Sequence, residues 1–150
     1  QSTDDRSKNA LEVFESANSV KVMLPADDIF VPGTDQLLPR VYEMLDLLAV
    51  QAREVMSDKE LSVEVRAPEG SPCSVAFSDN GSCNYWKLTA YQAISISNYM
   101  QTKGRVDPAK LIPVGRGTSP AMFLNDEERR KKRTSTVEFI YVTPPQNLKR

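Results

Sequence analysis

The chain has 150 residues, of which 40% are hydrophobic and 26% charged, enough for one packed domain and short for two. Its 19 basic side chains face 20 acidic ones, a formal net charge of -1, so no overall basic field draws it to nucleic acid. No apolar run is long enough for a membrane-spanning helix, and the start, QSTDDRSKN, lacks the basic end and apolar centre of a signal peptide. The chain therefore reads as cytosolic, or as a mature or trimmed form.

Two short periods open the element pattern. After the polar residues 1–9, ALEVFESAN suggests a helical turn or two. Ser19 to Leu24 then alternates Val20, Val22 and Leu24 against Lys21 and Met23, the pattern of a half-buried strand that Pro25 ends. The loop ADDIFVPGT follows, with Phe30 as its apolar anchor and Gly33 as a turn residue. From Leu37 to Met56, Val41, Met44, Leu45, Leu48, Ala52 and Val55 recur at three- and four-residue steps, which predicts a helix with one greasy face.

Leu61, Val63 and Val65 alternate with Ser62, Glu64 and Arg66 in a second strand closed by Pro68. A polar loop with both cysteines runs to Cys83. A helix is expected to begin with Thr89 as N-cap and to stop at Gly104. Asp107 and Pro108 open a single turn, and LIPVG, Leu111 to Gly115, forms a strand. NDEERRKKR carries a cap at Asn125, acids first and bases last, as a helix dipole prefers. Thr136 to Val142 makes a last strand before Pro144 and Pro145. The order β-α-β-α-β-α-β predicts an α+β sandwich: one mixed sheet with helices on one face and the other face open to solvent. The domain is expected over 19–143, with a tail or short helix over 1–18 and a C-terminal tail over 144–150.

Chemistry is limited by what is missing. Without histidine there is no Ser-His or Cys-His pair, and the commonest zinc ligand is gone. Two cysteines cannot build an all-thiolate zinc site, and the six glycines form no phosphate cradle. Asp27 with Asp28 and Asp126 with Glu127 read as solvated surface. No catalytic constellation, metal or cofactor is implied. Cys73 and Cys83, with nine residues between them, could close a disulfide worth somewhat under ~3 kcal/mol, which would mean an oxidising compartment; two free thiols are the alternative.

The order of the pieces resembles the OmpA C-terminal-like domains, the family that includes the flagellar stator protein MotB. The likeness runs from about Val20 to Val142. VKVMLPADDIFVPGTDQLLP is similar to the family's opening strand and lF-x-x-G loop, and LSVEVRAPEG stands where it has i-x-V-x-G-H-T-D. WKLTAYQAISISNYMQTKG resembles its W-E-L-S-x-x-R-A helix, and LIPVGRGTSP with NDEERRKKRTSTVEF its G-x-G-x-x-x-P and N-R-R-V-E-I ending. The resemblance implies a periplasmic, non-enzymatic module that grips peptidoglycan: an Asp of H-T-D takes the diaminopimelate ammonium and an Arg of L-S-x-x-R-A its carboxylate. It also implies partners among envelope or secretion-complex subunits, with the outer membrane reached only through a lipid anchor outside this chain. An oxidised Cys pair suits such a compartment.

Matched residue by residue, that grip is degenerate. Val65, Arg66, Ala67 and Pro68 stand at Gly, His, Thr and Asp, and Gln92 stands at the arginine. Tyr85, with Asn84 one place off, falls at the family's Asn. Thr134, Ser135 and Thr136 replace Asn-Arg-Arg, with Arg133 adjacent, and Asp79 could reach the pocket from its loop. The candidate contacts are therefore Asp79, Asn84, Tyr85, Thr89, Gln92 and Arg133. Thr89 and Gln92 also have a purely local reading as a capping box, each side chain bonding the other's backbone N-H. Trp86 and Tyr85 suit either a stacked sugar or a partner, with a core plug as the structural reading of Trp86. RRKKR, residues 129–133, reads as a solvated helix end or as a contact for an acidic partner.

Overall fold

In the computed structural model, residues 12–15, 19–119 and 135–144 are described. A short strand β1 (Glu12–Glu15) and β2 (Ser19–Pro25) lead to a helix whose entry is a 3-10 turn at Pro39–Val41. Its regular part, α1, is Tyr42–Val50, and it finishes in a π turn over Gln51–Val55. Then come β3 (Glu60–Arg66), a small hairpin of β4 (Ser78–Asp79) and β5 (Ser82–Cys83), the long α2 (Tyr85–Thr102), β6 (Leu111–Gly115) and β7 (Thr136–Val142). The helix expected over NDEERRKKR lies outside the described residues.

The main sheet has the order β1-β2-β7-β3-β6. β7 runs antiparallel to both of its neighbours, whereas β3 and β6 are parallel and joined through α2, so the sheet is mixed as expected. Val63 and Val65 of β3 and Val137, Phe139 and Tyr141 of β7 bury one face against Leu45 and Ala49 of α1 and Ala93, Ile96 and Met100 of α2. Phe30 is buried in the same core, and Gly33 turns the chain at φ +77°. A side chain at Gly33 would strike the backbone of Cys73, so the absence of a Cβ lets two loops meet there.

Three expectations change. The ALEVFESAN segment contributes a strand rather than a helical turn: Glu12 to Glu15 pair with Val20 to Met23, so the sheet begins before residue 19. Val55 is 65% exposed, because the π turn after Val50 shifts the helical phase and carries it off the apolar face. The second sheet face is closed at its centre. Lys21 is 3% exposed and Glu138 1%, and Met23, Arg66, Thr136 and Ile140 are buried beside them.

That face carries a ladder of charges. Lys21 Nζ donates to Glu138 Oε2 at 2.7 Å, and Arg66 Nη1 donates to Glu138 Oε1. Arg66 Nη2 lies 3.5 Å from Glu64 Oε1, and Arg116 holds both oxygens of Glu64 through Nε at 3.0 Å and Nη2 at 3.2 Å. Burial pushes the Glu64 carboxyl up, but the Arg116 hydrogen bond and the Arg116 and Arg66 charges outweigh it and hold it below 4.5. The stability it contributes is present above its ordinary value and is lost as pH falls through the lowered one.

Removing the shared anion takes from two buried cations, Lys21 and Arg66, the carboxylate that joins them. Glu138→Ala is expected to cost about 3–5 kcal/mol in urea unfolding, without altering the far-ultraviolet spectrum of whatever folds.

Candidate functional site

The candidate site is assembled by the hairpin and the first turn of α2. Asn80 and Gly81 take positive φ, 54° and 81°, which closes a two-residue turn and pairs Ser78 with Cys83. Cys73 and Cys83 are joined as a disulfide with Cα atoms 5.9 Å apart, tying the hairpin to the preceding loop. The Asn84 N-H then bonds Phe77 O at 2.8 Å, and its side chain caps α2, Oδ1 accepting from Lys87 N at 3.1 Å. Asn84 Nδ2 donates to Asp79 Oδ2 at 3.0 Å, and the Tyr85 hydroxyl accepts from Gly70 N at 2.8 Å.

These contacts frame a shallow, open depression of about 340 Å³ lined by Asp79, Ser82, Asn84, Tyr85, Trp86 and Thr118. Trp86 is 62% exposed, so it is not a core plug. The helix begins four residues before the expected cap, and position 86 thereby rotates to the surface. One side of its ring is backed by Gly117, where φ is +60° and an added Cβ would lie 2.8 Å from the ring.

Thr89 and Gln92 do not form a capping box, because Asn84, a cap as good as threonine, starts the helix directly after the hairpin. Thr89 is fully buried inside α2: Oγ1 donates to Tyr85 O at 2.8 Å and accepts from Gly117 N at 3.0 Å. Gln92 is 4% exposed, and its Nε2 donates to Thr34 O at 2.9 Å, with Ser95 Oγ donating to Asp35 O beside it. Gln92 Oε1 is buried without a hydrogen-bond partner among the described residues. Of the candidates, the structure brings Asp79, Asn84 and Tyr85 together at the depression, puts Thr89 beneath it, and ties Gln92 to a different loop. Arg133 and the rest of RRKKR lie outside the described residues. Arg66 is drawn into the charge ladder on the far sheet face.

No family model matches the sequence, and no curated protein does. Solved structures do match in fold. A MotB-like protein from Desulfovibrio vulgaris superposes with a TM-score of 0.71 at 20% identity, over 95% of this chain and 87% of that one. The cell wall anchor of the T6SS from Pseudomonas aeruginosa gives 0.70 at 18% identity, over 95% and 94%. The periplasmic domain of Helicobacter pylori MotB gives 0.71 at 15%, over 95% and 85%. The chain has the α+β fold of the OmpA-like and MotB periplasmic domains.

Gly117 is the lever on the Trp86 ring. Gly117→Ala is expected to destabilise the domain by about 1–2 kcal/mol, the usual cost of a left-handed backbone for an L side chain. It is also expected to shift the emission of Trp86, the single tryptophan in the chain.

Proposed function

We propose that the chain is a non-enzymatic cell-envelope module that works in the periplasm as a structural subunit of a larger assembly, such as a secretion-system outer-membrane complex. In this reading the stem-peptide grip of the OmpA-like fold has been given up and its shape kept. Any link to the outer membrane would run through a lipid anchor outside these residues. The Cys73–Cys83 disulfide suits an oxidising compartment, and the fold is shared with a T6SS cell wall anchor and with MotB periplasmic domains.

The observation that carries the reading is Gln92. Where the resembling family places an arginine for the ligand carboxylate, this side chain is neutral, buried and hydrogen-bonded to Thr34 O. Pro68, at the place of the ammonium-binding aspartate, offers no charge at all. A zwitterionic ligand end needs one fixed charge of each sign, and both inherited positions lack it.

Asp79 favours a second reading. It is an exposed carboxylate at the depression, oriented by Asn84, and could take over the ammonium in a peptidoglycan anchor with a rearranged pocket. Calorimetric titration with a diaminopimelate-containing stem peptide separates the two. We expect no saturable binding up to about 1 mM. Saturable binding that Asp79→Asn removes would overturn the structural reading in favour of the anchor.

A further inference from the structure

The outer side of α2 and the edge strand β6 enclose a groove whose lining shares no residue with the depression at Trp86. We propose that this groove docks a helix of another subunit, an amphipathic helix with a neutral buried stripe and acidic ends. The proposal rests on the structural-subunit reading for the source of that helix; the groove is argued from its own residues.

Composition sets the class of partner. Lys87, Tyr91, Ile94, Asn98 and Gln101 form an exposed stripe on α2 with steps of four, three, four and three, the spacing of a helix–helix seam. From Leu88 to Thr102 the helix carries no charged residue, and Tyr91 and Ile94 are 48% and 51% exposed. Depletion of charge around a tyrosine and a large aliphatic side chain marks the centre of a protein interface rather than a solvated face. Ile94, Ser97, Asn98 and Gln101 form one wall of the groove, which has about 220 Å³, and Pro108, Leu111 and Pro113 form the other.

The groove also holds an unmet polar group. Ser97 is 7% exposed, and its Oγ has no hydrogen-bond partner among the described residues. A polar side chain entering from a partner, such as a glutamine set into an apolar stripe, would complete it. An extended segment is disfavoured. β6 is the last strand of the sheet, but Pro113 at its middle has no N-H to offer a further strand.

Charge chooses among helices. Lys87 stands at one end of the stripe and Lys103 and Arg105 at the other, all exposed and in no ion pair among the described residues. The two ends are about 24 Å apart along the helix. Asp107, in the loop with Arg105, spends Oδ1 on the Ala109 N-H. A second copy docked here across a two-fold axis would set cation on cation, whether the helices ran parallel or antiparallel. Anionic lipid would meet the end cations but brings no polar group down to Ser97.

The probe is a dye-labelled, alanine-rich helical peptide of about six turns, with leucines on its seam, one central glutamine and glutamates at both ends. Titration by anisotropy is expected to saturate in the roughly 10–100 μM range, and the same peptide with lysines at its ends to bind about 10-fold more weakly. Lys87→Glu with Lys103→Glu is expected to invert that preference. Ile94→Glu should lose binding with the far-ultraviolet spectrum unchanged. Ser97→Ala should raise the thermal midpoint of the free protein, yet remove its preference for glutamine over leucine at the peptide's centre, a combination that a merely structural serine does not give. No saturable binding of the glutamate-ended peptide, or equal binding of both peptides, would overturn the proposal. Self-association that Ile94→Glu removes would overturn it in favour of a second copy, and uptake onto anionic vesicles that the same change removes, in favour of a membrane. Each of these leaves the stem-peptide titration untouched, so failure of the groove and failure of the structural-subunit reading are told apart.

Discussion

Everything in the sheet depends on one buried carboxylate, that of Glu138, held between Lys21 and Arg66 on the middle strand β7. A slip of one residue in β7 would carry this charge through to the helix-facing core and expose Val137 and Phe139 in its place. The ion pairs therefore specify register across β2, β7 and β3 together. A buried pair of this kind adds little net stability over an apolar substitute, but it is costly to break. Register in β3 has a further consequence at the other end of the strand. The Ala67 N-H, just past Arg66, bonds Gly117 O, and Gly117 in turn supports the Trp86 ring and donates to Thr89. The sheet face that carries the charges and the surface that carries the tryptophan are thus mechanically linked.

The distribution of charge explains the functional reading. Arg66 stands in the segment where the resembling family holds ligand-binding residues, and here it is used up by Glu138 and Glu64. Gln92, at the family's arginine, is used up by Thr34 O. Both positions now serve internal hydrogen bonding and the joining of loops to α2. On the β4–β5 hairpin and the α2 cap, Asp79 and Asn84 lie next to an exposed aromatic ring.

Much of the fold was legible in the sequence because its strands have clear punctuation. Thr136–Val142 and Leu111–Gly115 have the bounds that their alternation and flanking turns suggest, and the mixed sheet with helices on one face follows from the element order. The missed hairpin did have a signal. Asn80-Gly81 between short polar strands is the two-residue turn motif, hidden by the absence of any apolar alternation around it. The start of α2 was misjudged because both Asn84 and Thr89 are competent caps, and only tertiary contacts choose between them: Phe77 O fixes the backbone before Asn84, and Thr89 is taken by Gly117. That single shift moved Trp86 to the surface and dissolved the capping box. Closure of the second sheet face was illegible because Lys21, Arg66 and Glu138 each read as solvated alone and are buried only as a set.

At 15–20% identity the solved structures share the fold of this domain, and a shared fold does not fix what its surface binds. The central claim is that the domain no longer reads the peptide part of the cell wall. Pull-down on immobilised cell-wall glycan strands, with their stem peptides attached and after an amidase has removed them, tests it most directly. The account predicts the same bound fraction on both. A bound fraction that falls to background when the peptides are removed would contradict it.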